Sequence, residues 1–280
     1  RSADQILQAV LKLWTADAQR LTQGAPALAD TEPELALRPA RLTLTVGFGP
    51  TLFDRVGLGD RRPTSARELP VMAIDRLDPS WCGGDLLLQI CSDDPLVVSH
   101  AARVLLKNVR TLATERWRQA GFRTARGADG DGATMRNLMG QVDGTVNPAP
   151  GTQDFDDSVW DSGQSQPWLA GGTLMVIRRI GMSLDTWDQL DRQSKELTIG
   201  RRLDNGAPLN GKHETDPVDL SVKRDGIAVI PPNSHVALAH RQQPDERFLR
   251  RAYNFDDPPG RDQTTNSGLI FVAFQRDIDR

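Results

Sequence analysis

Gly140-Gln141-Val142-Asp143-Gly144-Thr145-Val146-Asn147-Pro148 is the stretch that decides what kind of fold and site this chain builds. It sets one carboxylate, Asp143, between Gly140 and Gly144, and it ends in Asn-Pro. Glycine lets backbone approach a ligand closely and take turns that a side chain forbids. A lone acid held in such a loop points to chemistry more than to packing. The plain alternative is an ordinary Asp-Gly turn, which needs the same two residues. The rest of the chain separates the two.

Downstream, residues 233–240 read Asn-Ser-His-Val-Ala-Leu-Ala-His, 249–255 read Leu-Arg-Arg-Ala-Tyr-Asn-Phe, and 268–275 read Gly-Leu-Ile-Phe-Val-Ala-Phe-Gln. Two further segments stand out: Gly-Gly-Asp-Leu-Leu-Leu-Gln at 83–89 and Ile-Gly-Arg-Arg at 199–202. A Gly-x-x-Asp-Gly motif, then a histidine, then Leu-Arg-Arg, then an apolar C-terminal strand, in this order, resembles the dye-decolorizing heme peroxidases. The resemblance runs from about Gln5 to the C-terminus and is nearest to the subgroup that includes secreted bacterial enzymes.

That resemblance implies an α+β fold of two ferredoxin-like halves, of the dimeric α+β barrel type, with heme in the C-terminal half. The expected division is an N-terminal half over 1–122, a loop-rich connector carrying the Asp143 motif over 123–170, and a C-terminal half over 171–280. The implied cofactor is one heme b per chain. His235 is the implied axial ligand of its iron, and Arg201 the arginine near a propionate. Asp143 and Arg250 are the implied catalytic pair. Gly144, Thr145, Asn147, Leu269 and Phe271 are expected at the cofactor, and Asp277 is a candidate partner for the outer nitrogen of His235. Implied partners are H2O2 and a small organic, dye-like or phenolic reductant, with homo-oligomers possible for this fold.

The residues themselves constrain these roles. The chain has four histidines. His100 sits on a helix and reads as packed, and His213 sits in a polar loop and reads as solvated. His235 and His240 both follow Pro231-Pro232. A spacing of five is nearly one and a half helical turns, so one helix cannot aim both at one iron. Arg250 and Arg251 fall in an expected strand, where neighbours face opposite sides, so at most one of them points into a site.

A single carboxylate can carry a proton between the two oxygens of a peroxide. A guanidinium stays cationic and can stabilise charge that develops as the O–O bond breaks. The six Trp residues and the lone Tyr253 are candidates for relaying electrons to bulky reductants, although such residues more commonly pack.

Composition sets the outer bounds. At 280 residues with 38% hydrophobic and 25% charged residues, the chain has the make-up of a soluble globular protein with length to enclose a cofactor. A net charge of -3 and a pI of about 5.9 leave no electrostatic footprint for nucleic acid. Apolar runs such as Gly171 to Ile177 are too short to span a bilayer. Cys82 and Cys91 lack zinc-site spacing and read as two buried thiols. The chain opens at Arg1-Ser2-Ala3, directly before a helix, whereas the resembled fold starts with a strand and a His-Gln-Gly-type segment. An N-terminal stretch is therefore expected to precede it, and export from a bacterium is the expected destination. Two other readings remain open: a heme-handling protein that releases iron or serves a metal-dependent partner, and an α+β domain without cofactor.

Along the chain, apolar positions at three- and four-residue spacing predict a helix over 3–22, closed at Gly24. Alternation predicts strands over 41–48 and 85–91, and Asp93-Asp94-Pro95 starts a helix running to about 113. A short strand is expected over 116–122, and loops, with five Gly or Asp residues between 127 and 132, over 123–170. The second half reads as a strand over 172–180, a ten-residue helix capped by Ser183, and strands over 227–230, 248–255 and 269–274.

Overall fold

Helix α1 (Ala3–Leu21) follows the predicted apolar stripe, with Val10, Trp14 and Leu21 buried. The computed structural model describes residues 1–124, 127, 128, 130, 133–164, 166–243, 245–260 and 264–279. Part of the Gly/Asp run, at Asp129, Asp131 and Gly132, lies outside them. Two units divide the chain, Arg1–Gln119 and Ala120–Arg280.

In the first unit, β1 (Thr43–Phe48) pairs antiparallel with β2 (Leu86–Cys91), with Leu44 opposite Ile90. The short α2 (Pro50–Arg55) follows β1. α3 (Pro95–Val109) begins as its sequence demands: Asp94 caps it by accepting the Leu96 N–H at 2.8 Å, and Pro95 occupies a position that needs no donor. Val97, Ala101, Val104, Leu105 and Val109 on α3 meet Val10, Trp14 and Leu21, and the ribbon adds Leu44, Leu86, Leu88 and Ile90 to the same core. The Trp14 indole N–H donates to the Leu105 carbonyl at 3.1 Å. His100 is buried, as read, against Asp30 at 3.1 Å. Cys82 and Cys91 are free thiols, half-buried rather than fully enclosed.

The strand expected over 116–122 does not form. Arg116 and Trp117 are instead held by their side chains, which donate to the carbonyls of Cys82 and Gly83 at 2.7 and 2.9 Å. Only Phe122 makes a β-bridge, to Asn254.

The second unit is built on β8 (Ser267–Gln275), the central strand of an antiparallel sheet. After α4 (Gln153–Val159) comes β3 (Leu174–Gly181), which pairs with β8 along its whole length. The helix expected after Ser183 is two helices, α5 (Leu184–Asp188) and α6 (Arg192–Ile199), and Ser183 makes no cap hydrogen bond. The reason is Asp191, which accepts the Ser194 N–H at 2.7 Å and so starts a new helix where the old one would have continued. A small ribbon of β4 (Lys223–Arg224) and β5 (Ile227–Ala228) precedes α7 (His235–Leu238).

The strand expected over 248–255 is two pieces, β6 (Leu249–Arg250) and β7 (Tyr253–Asp256), both on β8. Between them the Ala252 carbonyl turns away to accept from Arg123 at 3.3 Å, which interrupts the ladder. Phe255, Ile270 and Val272 form the buried centre of one sheet face, with Met175, Ile177, Tyr253 and Phe274 around them. No helix among the described residues is long and apolar enough to cross a membrane.

Candidate active site

The Asp143 motif is a hairpin tip. Arg136 and Val142 bridge antiparallel, and the turn between them is closed by the Gly140 N–H donating to the Asn137 carbonyl at 2.9 Å. Gly140 stands at φ +77°, which explains the glycine there. The Asp143 N–H donates to the Met135 carbonyl at 2.8 Å and extends the pairing by one residue. Gly144 then turns the chain at φ +125°.

The side chain of Asp143 is enclosed, with 6% of its surface exposed. Its two oxygens are not equivalent. Oδ2 accepts from Asn137 Nδ2 at 3.1 Å. Oδ1 lies 2.5 Å from Arg250 Nη2, yet it is a buried oxygen without a hydrogen-bond partner. Distance makes the pair an ion pair, while the angle denies it a hydrogen bond, and the angle is the stricter test of what Oδ1 can still accept. Buried polar atoms without partners are rare and mark places where something else is bound.

Strand register decides which way Arg250 points. Arg250 sits opposite Ala273 on β8. Residues directly opposite share a face, so Arg250 lies on the side of Leu269, Phe271 and Ala273, away from the Ile270–Val272 core. Arg251 faces the other way: it is exposed, and its Nε donates to the Tyr253 hydroxyl at 2.9 Å. Leu269 is almost fully enclosed at 5% exposure, while Phe271 is half-buried with its ring edge-on to Phe248 at 5.9 Å. Of that pair, Phe271 is the one with surface left to offer a ligand.

Asn147 binds the motif to β6. Its Nδ2 donates to the Arg250 carbonyl at 2.7 Å and its Oδ1 accepts the Arg250 N–H at 2.9 Å. One side-chain amide thus completes the strand's pairing as a neighbouring strand would. On the other flank, Thr145 and Thr134 both donate to Glu214 Oε1, at 2.9 and 2.6 Å. The carbonyl of Glu214 accepts from Arg201 Nη1 at 2.9 Å, and the Gly206 carbonyl takes the same nitrogen at 2.7 Å. Arg201 is buried, and desolvation lowers its pKa against the opposing pull of Glu214. Among the described residues its Nε and Nη2 make no hydrogen bond, so the guanidinium keeps donors for an anion.

His235 opens α7, and Ser234 caps that helix, accepting the Ala237 N–H at 3.4 Å. His235 is exposed to solvent, although enough protein lies near its ring to cost the charged form some hydration. Burial lowers its pKa from the ordinary 6.5, Arg250 lowers it further, and Asp143 opposes. The charges felt by His235 are therefore those of the Asp143–Arg250 pair. A lowered pKa keeps the ring neutral, which is the form that ligates metal. His240 lies beyond the end of α7 and is exposed, and His213 is exposed in its loop as read. Asp277 accepts the Asp279 N–H at 3.0 Å near the end of the chain.

Thr134 and Glu214 were not singled out from the sequence. Asn137 carries a local signal, an Asn three before a Gly, which is turn chemistry. Thr134 and Glu214 carry none, since they meet only through the fold across 80 residues. Trp187 of α5 supports the turn from below by donating to the Met139 carbonyl at 3.2 Å.

An acid, a guanidinium and an imidazole from three separate segments of the second unit thus act on one another, the Asp143–Arg250 pair supplying the charges felt by His235. Comparison with known proteins identifies the family. Residues 134–280 match the family model described as Dyp-type peroxidase, C-terminal, and residues 1–123 match Dyp-type peroxidase, N-terminal. The chain belongs to the Dyp-type peroxidase family. It is 41% identical to the dye-decolorizing peroxidase of Thermobifida fusca, over 96% of this chain and 64% of that protein. It is 32% identical to the deferrochelatase of Escherichia coli, over 98% of this chain and 69% of that one. The crystal structure of a DyP-type peroxidase from Cellulomonas bogoriensis superposes with a TM-score of 0.94 at 50% identity, covering 98% of this chain and 76% of that chain. The chain thus spans slightly under two thirds of the length of the Thermobifida relative.

Proposed function

We propose that this chain binds one heme b in its second unit and reduces H2O2, with electrons drawn from a dye-like or phenolic reductant. The residues fit the cofactor on three counts. His235 is held neutral. Arg201 retains unused donors for a carboxylate. The face carrying Arg250 and Phe271 is separate from the packed Ile270–Val272 face. The observation that carries the reading is Asp143 Oδ1, an enclosed acceptor with no hydrogen bond and a cation beside it.

When bound, the heme supplies an iron centre that takes up the oxidising equivalents of the peroxide. Asp143, as carboxylate, accepts the proton of one peroxide oxygen and delivers it to the other, which leaves as water when the O–O bond breaks. Arg250 stabilises the negative charge that develops on the departing oxygen. His235 would hold the iron, and Arg201 would pair with a propionate. Two electrons from the reductant and two further protons complete the balance, H2O2 to two waters.

A second reading rests on the relatives named deferrochelatase: heme handling with release of iron. Hemin reconstitution followed by stopped-flow mixing with H2O2 decides between them. We expect a Soret band, a fast spectral change with peroxide, and a slow one in Asp143→Ala at full heme loading. Absence of heme uptake sinks the proposal. Appearance of fluorescent metal-free porphyrin, with peroxide reactivity indifferent to Asp143→Ala, transfers it to the second reading.

Export from a bacterium and self-association belong to the same reading. They rest on the resemblance of the sequence motifs alone, and cell fractionation and light scattering test them.

A further inference from the structure

We infer that Asn137 is the positioning residue that selects which oxygen of Asp143 handles the proton, leaving Oδ1 and not Oδ2 as the working atom. This rests on the peroxidase reading above. An amide can turn over, exchanging its donor and acceptor ends, but the Asn137 amide is fixed. Its Oδ1 accepts two backbone N–H groups, from Met139 at 3.0 Å and from Gln141 at 3.3 Å. Carbonyl oxygen is the only end that can accept both. Nδ2 is therefore committed as a donor, and it donates to Asp143 Oδ2 at 3.1 Å.

The consequence is an asymmetric carboxylate. Oδ2 is occupied by a neutral donor that belongs to the same turn. Oδ1 is buried, without a hydrogen bond, and adjacent to Arg250 Nη2. A proton arriving from substrate finds its vacant lone pairs on Oδ1. Protonation at Oδ2 would set a proton against the Nδ2–H donor, so that oxygen is disfavoured. Among the described residues, the charged group paired with Asp143 is Arg250 on β6, and it makes no hydrogen bond to Oδ1. Among the described residues, Asn137 is thus the side chain that hydrogen-bonds the carboxylate and fixes which of its oxygens is left open.

The turn and the donor are separable by mutation. Asn137→Asp keeps an oxygen to accept from Met139 and Gln141 but removes the donor. Asn137→Ala removes both functions. If the donor is what matters, both variants take up heme with an unaltered Soret band, and both react with H2O2 about 10- to 100-fold more slowly. That loss is of the size usual for a disturbed acid–base group. The solvent deuterium isotope effect on that reaction grows in both variants, because the misplaced carboxylate makes proton transfer limiting. If Asn137→Asp reacts like the parent with an unchanged isotope effect, the residue only shapes the turn and the inference fails. Asp143→Asn run in parallel keeps the two levels apart: unimpaired peroxide reactivity there would overturn the peroxidase mechanism itself, whatever Asn137 does.

Discussion

Asp143 and Arg250 touch without hydrogen-bonding: the guanidinium Nη2 stands 2.5 Å from Oδ1, but its N–H is not directed at that oxygen. A carboxylate and a guanidinium free to satisfy each other would form a bidentate fork. Here each is tied elsewhere, Asp143 by Asn137 and the Arg250 backbone by Asn147. Charge neutralisation is kept while an acceptor lone pair stays available, the arrangement a proton-transferring carboxylate needs.

Arg250→Leu tests the division of labour. In the proposed mechanism the side chain stabilises developing charge rather than holding the cofactor, so the reaction with H2O2 is expected to slow on the order of 100-fold or more. Heme affinity, measured by Soret titration with hemin, is expected to stay near the parent value. Equal loss of both would assign Arg250 to cofactor binding instead.

Asn147→Ala removes two hydrogen bonds from the backbone of Arg250. It leaves a partly buried N–H and C=O unsatisfied, which costs about 1–3 kcal/mol in global stability. Urea unfolding of the heme-free protein measures it. Because the same amide holds the motif against β6, peroxide reactivity should fall as well, and a variant as stable and as fast as the parent would contradict the pinning role.

His235 gives a pH dependence with a definite sign. Its pKa in the folded protein lies below the ordinary 6.5, through burial first and Arg250 second. Between the lowered folded value and 6.5 the unfolded chain binds more protons than the folded one. The heme-free protein therefore gains stability as pH rises through that window and levels off above it. His235→Gln should flatten this slope in denaturant unfolding followed across about pH 5 to 8. Heme loading should likewise survive to pH values below 6.5, since protonation competes with ligation. Parallel slopes for parent and variant would refute the assignment of a depressed imidazole.

Glu214→Ala strips the shared acceptor from Thr134 and Thr145 and the nearest negative charge from Arg201. The expected loss is about 1–3 kcal/mol, with Glu214→Gln recovering part of it because an amide oxygen still accepts. Thermal unfolding of the three proteins checks the order parent, Gln, Ala.

What the chain announced by itself was everything with a short-range cause. The apolar stripe of α1, the Asp94-Pro95 start of α3 and the alternation of β1 are local patterns, and the structure contains those elements within a few residues of their expected limits. The Gly140–Pro148 motif, His235 and Leu249-Arg250-Arg251 were visible as residue types in order, and strand alternation already limited the arginines to one inward side chain. Local pattern failed where a side chain captured a backbone group. Asp191 restarted a helix, Arg123 drew off the Ala252 carbonyl, and Arg116 and Trp117 replaced a ladder.

Tertiary structure alone decided the rest: that Ala273 stands opposite Arg250 and so turns its side chain to the site, that Glu214 reaches back to Thr134, and that Asp143 keeps one oxygen open. Such contacts join residues far apart in the chain, and no helical or strand period encodes them. Register and loop closure fix them, and both come from the summed packing of the sheet rather than from any single segment.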